Sequence, residues 1–218
     1  MNRREFSIGA GCVIAVAGLG LPALLQAQVR PPESGTEYMT LKNRVPVEAP
    51  AGKVEVIEFF WYSCPHCNAF EPRLQAWIQK LPADVSFKRV PVAFREAFVA
   101  QQRLFYTLEA MGKVDDLHGK VFQAIHELRQ PTNTEELILA WAAKQPGLDL
   151  EKFRQLFRSP EVNNRSYRAL QIQDAYGVEG VPALGIAGRY YTDGTIAGNM
   201  ERALQVTDHL VAQTRAAR

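Results

Sequence analysis

The sequence predicts an α/β fold in which a block of helices interrupts a sheet. Three observations carry this. Two strand candidates, Lys53–Phe60 and Val85–Val90, flank a helix candidate at Pro65–Leu81. From about Arg95 to Tyr176 the signals are helical. Strand character then returns at Ala183–Ala187, before a last helix near the C-terminus.

Each element has a physical basis. Lys53–Phe60 (KVEVIEFF) is rich in Val, Ile and Phe and short enough for a buried strand. In Pro65–Leu81, the residues Phe70, Leu74, Trp77, Ile78 and Leu81 fall on one face of a 3.6-residue period. Pro72 lies inside that helix and is expected to kink it or interrupt its hydrogen bonding. Within the helical block, Phe98–Met111, Leu117–Leu128, Thr134–Lys144 and Leu150–Phe157 read as helices, with breaks at Gly112, Pro131 and Pro146-Gly147. Thr134 is placed to cap its helix. Tyr190–Thr195 (YYTDGT) reads as a hairpin around an Asp-Gly turn. Asn199 is expected to cap a final helix whose inner face is Met200, Ala203, Leu204, Thr207, Leu210 and Val211.

With 218 residues and 47% apolar content, the chain can build one domain with an insertion. Its net charge of +2 gives no electrostatic case for nucleic acid or an anionic membrane as partner. The first 27 residues differ from the rest. Arg3 and Arg4 precede an apolar stretch, Ile8–Leu25, and small and polar residues follow at Gln26–Gln28. This is the order of a cleaved export signal, residues 1–27, leaving a domain of 28–218 with its helical insertion at about 95–176. A membrane anchor is the rival reading, disfavoured by Pro22 and the glycines. Arg3-Arg4-Glu5-Phe6 also looks like a twin-arginine signal. Lipidation at Cys12 is weak, because most of the apolar run follows that residue.

Cleavage removes Cys12 and leaves Cys64 and Cys67, the chain's other two cysteines, in an oxidising compartment. A bridge between them encloses two residues and constrains the unfolded chain very little, so a structural staple is a poor reading. Zinc needs four ligands, and no second cysteine pair exists; His118 and His126 read as surface or packing residues. Covalent haem attachment needs a His where Asn68 stands. Redox chemistry remains. With Cys64 as helix N-cap, Pro65 takes the first helical position, where its missing N–H costs nothing. The sulfur of Cys64 then faces the amides of His66 and Cys67. Those donors, the helix dipole and the His66 imidazole all favour its thiolate. Cys67, one turn in, is placed to resolve a mixed disulfide at Cys64. A stabilised thiolate makes the disulfide an oxidant.

Cys64-Pro65-His66-Cys67 after an apolar strand, a helical block set into a sheet, and Gly180-Val181-Pro182 before the next strand resemble the DsbA thiol–disulfide oxidases of the bacterial periplasm. The resemblance runs from about Tyr38 to the last helix. It implies a thioredoxin-like fold with an inserted helical domain. It implies that Cys64 is the exposed nucleophile and Cys67 its buried partner, with Pro182 as a cis-proline facing the disulfide and Val181 before it, pairing with an extended substrate. Glu58 matches a buried acid that relays the Cys67 proton, and Arg89 a basic residue near it, with Lys88 competing for that place. Pro72 and Asn68 depart from familiar members, leaving the course of the helix and the rim of the substrate groove open.

The implied function is donation of the Cys64–Cys67 disulfide to reduced, unfolded exported proteins in the periplasm. Reoxidation would come from a DsbB-type, quinone-linked membrane partner. The expected protein is a monomer with no cofactor beyond the redox-active disulfide. A disulfide isomerase, a reductase serving cytochrome maturation, and a non-enzymatic exported peptide binder are the alternatives.

Overall fold

The computed structural model describes residues 30–217. The export-signal expectation, with Arg3, Arg4 and Cys12, therefore lies outside the described residues. Five strands form one sheet: β1 (Met39–Thr40), β2 (Val54–Phe60), β3 (Val85–Pro91), β4 (Ala183–Ile186) and β5 (Tyr190–Asp193), in the order β1-β5-β4-β2-β3. Seven α-helices accompany them among the described residues: α1 (Pro65–Ile78), α2 (Val99–Ala110), α3 (Val114–His126), α4 (Glu135–Ala142), α5 (Leu150–Phe157), α6 (Pro160–Tyr176) and α7 (Met200–Ala216). A 3-10 turn, Glu96–Phe98, leads into α2. The segment from this turn through α6 is the helical insert of an otherwise thioredoxin-like α/β fold.

Strand β2 is central, parallel to β3 on one side and antiparallel to β4 on the other. Every residue of β2 is buried, which explains its near-continuous apolar run. Alternation splits its side chains between two cores. Val54 and Val56 meet Phe70 and Leu74 of α1 and Leu204 and Leu210 of α7. Ile57 and Phe59 face the larger core made with the helical insert, where Phe59 meets the ring of Tyr176 from α6. Each such Leu or Phe, taken fully out of water, contributes roughly 1.5–3 kcal/mol before entropy is counted.

Local rules explain most boundaries. Ser159 caps α6, Pro160 opens it, and Gly177 closes it with a left-handed φ of 65°. Thr134 and Asn199 cap α4 and α7 by accepting the Leu137 and Arg202 amides. Helix α1 runs through Pro72 and stops at Ile78, before Leu81. The expected hairpin around Asp193-Gly194 is not formed. Strand β5 ends at Asp193, whose carboxylate accepts the amides of Thr195 and Ile196 and turns the chain toward α7. The hairpin instead joins β4 to β5 through Ala187–Arg189, with positive φ at both Ala187 (55°) and Gly188 (62°). An alanine in that region is an uncommon choice, so the turn carried no sequence signal. Strand β1, two residues long, also went unforeseen.

Candidate active site

The site forms where β2 ends and α1 begins. Cys64 is the N-cap of α1, with extended backbone geometry, and its sulfur accepts the Cys67 amide at 3.4 Å. Pro65 holds the first helical position. Both cysteines are free thiols in the structure. Cys67 is fully buried, while Cys64 keeps 6% of its surface. The expected exposed nucleophile is thus a largely covered sulfur at the surface. Its S–H donates to the Val181 carbonyl at 3.4 Å, which brings the segment before β4 over it. Pro182 follows, buried, and the Val181–Pro182 bond is cis. Beside the sulfur lies a cavity of about 330 Å³ lined by His66, Val181, Pro182, Thr195 and Met200 among others.

The two thiols are electrostatically opposite. The Cys67 side chain, donating to the Cys64 sulfur, holds Cys64 below the ordinary thiol range, at about 6. Burial opposes this, while the Cys67 and His66 amides and the charge on His66 assist. His66 itself is exposed and is the smallest of these influences. Burial pushes the Cys67 thiol far up, and the Cys64 sulfur and Glu58 beneath it push the same way. Such a pair has one sulfur that ionises at neutral pH and one that stays protonated.

Glu58 is fully buried on β2. Burial raises its carboxyl to about 8, against the pull of Arg89. Arg89, its register partner on β3, sits with Nε 2.9 Å from Glu58 and donates from Nη2 to Glu71 at 2.8 Å. Lys88 lies elsewhere, bonded to Glu48 and Glu55, so Arg89 is the basic partner of Glu58. Glu71 was missed at the level of sequence. It lies one turn beyond Cys67 on α1, and that i+4 spacing was the available signal. Of the two readings for His118, surface or packing, the structure shows packing. It is buried at 2% exposure, bonded through Nδ1 to the Tyr62 hydroxyl at 2.9 Å, with Nε2 3.6 Å from Glu71. His126 is half-buried and donates to the Tyr62 carbonyl at 2.8 Å. Gln101 was also unforeseen: from α2 its amide reaches Ser63 Oγ (2.7 Å) and Thr132 Oγ1 (3.0 Å), tying the residue before Cys64 to the insert. Among the described residues no group of three metal-binding side chains comes together.

Residues 55–205 match the family model of the DSBA-like thioredoxin domain. The chain belongs to the DsbA-like thioredoxin family. It is 40% identical over 207 residues to the thiol:disulfide interchange protein DsbA of Pseudomonas aeruginosa, covering 94% of this chain and 97% of that one. The DsbA of Burkholderia cepacia is 39% identical over 198 residues, covering 90% and 93%. In three dimensions the chain resembles the crystal structure of P. aeruginosa DsbA with a TM-score of 0.79 and 42% identity, over 84% of this chain and 94% of that one. The DsbA of Xylella fastidiosa superposes with a TM-score of 0.78 at 32% identity, over 85% and 98%. This DsbA-like chain is a protein thiol–disulfide oxidoreductase.

Proposed function

We propose that the chain works as a dithiol oxidase that passes a Cys64–Cys67 disulfide to reduced, exported proteins in the periplasm. The observation that carries this is the asymmetry of the thiols. Cys64, with its thiol at about 6, is the better leaving group and the sulfur nearer solvent; Cys67 is buried and stays protonated. A client thiolate attacks the Cys64 sulfur, and the bond to Cys67 breaks. Cys67 leaves with the electron pair and takes a proton, which Glu58 supplies. A second client thiolate then attacks the client sulfur of the mixed disulfide. Cys64 departs as a thiolate held at the helix N-terminus. Two electrons have moved from the client dithiol to the pair, and the client leaves with a disulfide.

Val181 and Pro182, with the cavity beside Cys64, suit an extended client segment. The disulfide is itself the redox group. The return to the oxidised form needs an electron acceptor, for which a DsbB-type, quinone-linked membrane protein is the expected partner. Lowering a thiol from about 8.5 to about 6 favours the reduced pair by up to roughly 75 mV, at about 30 mV per pH unit. A redox titration against glutathione tests the reading. The expected pair is reduced in mixtures that leave an ordinary structural disulfide, below about −300 mV, oxidised. A pair that behaves like that structural disulfide would sink the oxidase assignment.

A further inference from the structure

Beneath Cys67 two carboxyls share one guanidinium. Glu58 and Glu71 both meet Arg89, so the pair is short of positive charge and titrates as a unit. Which of the two keeps a proton depends on what else each touches. Glu58 has Arg89 alone: neither of its oxygens has a well-aligned hydrogen-bond donor. Glu71 Oε1 has the Arg89 guanidinium at 2.8 Å, the Gln75 amide at 2.7 Å, and His118 Nε2 at 3.6 Å.

His118 lies in a cage of aromatic rings. Phe60, Tyr62 and Phe122 have their centroids 5.1–5.2 Å from it, and Phe105 lies at 6.1 Å. Burial holds the imidazole below its ordinary range and so neutral, although Glu71 and Asp115 pull the other way. A neutral ring carries one proton, and its place is decided by the two neighbours. The Tyr62 hydroxyl is buried and keeps its proton at neutral pH, so it can donate to Nδ1. The other tautomer would aim the Nε2 lone pair at a carboxylate oxygen. The proton therefore sits on Nε2, directed at Glu71. At 3.6 Å it acts as an electrostatic contact a few tenths of an ångström beyond a full hydrogen bond.

We propose that His118 is a positioning residue: its Nε2–H keeps the negative charge of the buried pair on Glu71 and thereby keeps the proton on Glu58, the carboxyl beneath Cys67. The groups that face the site from each packed element are Glu58 on β2, Arg89 on β3, Glu71 on α1, Tyr62 in the turn after β2, and Asp115 on the same helix as His118. Burial works against ionisation of Glu71, but His118, Arg89 and Gln75 together outweigh it. Without the His118 donor the charge moves toward Glu58. The proton needed by the departing Cys67 sulfur is then missing from about half of the molecules at neutral pH. This rests on Glu58 as the proton donor proposed above.

The test uses the oxidised protein and infrared difference spectra across pH, with Glu58→Gln marking the Glu58 carboxyl band. In the wild type that band is expected to titrate at about 8. In His118→Leu the midpoint is expected near about 7, and in His118→Gln, which keeps an N–H donor, near the wild-type value. The alkaline limb of client-peptide oxidation should move with it. A His118→Leu protein that melts earlier but titrates Glu58 unchanged would reduce His118 to packing and overturn the proposal. If that variant does not fold, His118→Phe, which keeps an aromatic ring in the cage and lacks the N–H donor, is expected to shift the midpoint the same way; no shift there overturns it equally. An unchanged pH–rate profile in Glu58→Gln would refute the donor role of Glu58, while the infrared titration would still decide the role of His118.

Discussion

Comparing the stability of the reduced and oxidised forms across pH isolates the Cys64 thiolate. The perturbation is reduction of the disulfide, which creates a thiolate at the N-terminus of α1. In the folded protein the Cys64 thiol lies at about 6; in the unfolded chain it returns to about 8.5. A depressed folded pKa contributes stability that is fully present above the unfolded value and lost as pH falls through the folded one. At pH 7 this contribution is about 1.4 kcal/mol, and at pH 8.5 about 3 kcal/mol. Solvent at the groove mouth screens the sulfur and roughly halves both figures.

Cys67 acts with the opposite sign. Its folded pKa is far above the unfolded one, so stability falls once the unfolded thiol ionises, above about pH 8.5. Glu58, raised by burial to about 8, loses stability between about pH 4.5 and 8, but does so in both redox forms and cancels in the difference. The reduced-minus-oxidised difference should therefore climb from about pH 6, peak near pH 8.5, and decline beyond. Since a two-residue bridge stabilises little, the reduced form is the more stable at neutral pH. Urea midpoints and m-values of both forms at each pH give the curve. A flat curve, or an oxidised form that is the more stable at pH 7, would refute the thiolate argument.

Three other outcomes follow from the geometry. Cys67→Ser should accumulate mixed disulfides with client proteins on non-reducing gels, and Cys64→Ser none; equal trapping by both would reverse or cancel the assigned roles. Arg89→Met leaves two buried carboxyls without their cation and should cost about 3–5 kcal/mol at neutral pH. The loss should shrink as pH falls toward about 4.5 and Glu71, the carboxyl charged at neutral pH, gains its proton, and urea melts that show a pH-independent loss would contradict this. Gly185→Ala would bring its Cβ to 2.5 Å from the Tyr176 ring, which Phe59 and the Gly188 amide hold in place. A loss of about 1–3 kcal/mol with unchanged client oxidation per folded molecule is expected, and an unaltered melting curve would show that the ring yields freely.

What could be read from the chain was local. Cys64 as N-cap follows from Pro65 and from helical spacing within a few residues, and the buried course of β2 follows from its own composition. The capping of α4 and α7 by Thr134 and Asn199 is local in the same sense. The Ala187–Gly188 turn was hidden because an Asp-Gly pair nearby carried the stronger turn signal. The supporting shell of the site was illegible for another reason. Glu71, His118 and Gln101 come from α1, α3 and α2, and their meeting around Arg89 of β3, which the family resemblance alone had pointed to, is set by how those elements pack. A polar residue on a helix, such as His118, reads as surface or packing alike until its neighbours are known. Of the residues missed, Glu71 alone carried a hint, in its spacing from Cys67.

The Gln101 clamp has a consequence for how the molecule opens. An insert joined to a sheet by two chain crossings could breathe as a separate unit. Here one amide group holds Ser63 and Thr132 together, so the turn that presents Cys64 belongs energetically to the insert as much as to the sheet. Partial unfolding of the insert would then dismantle the reactive turn while the strands still stood. Native-state hydrogen exchange would register this as amides of residues 63–64 opening in step with those of α2, and independent opening of the two would show that the clamp does not couple them.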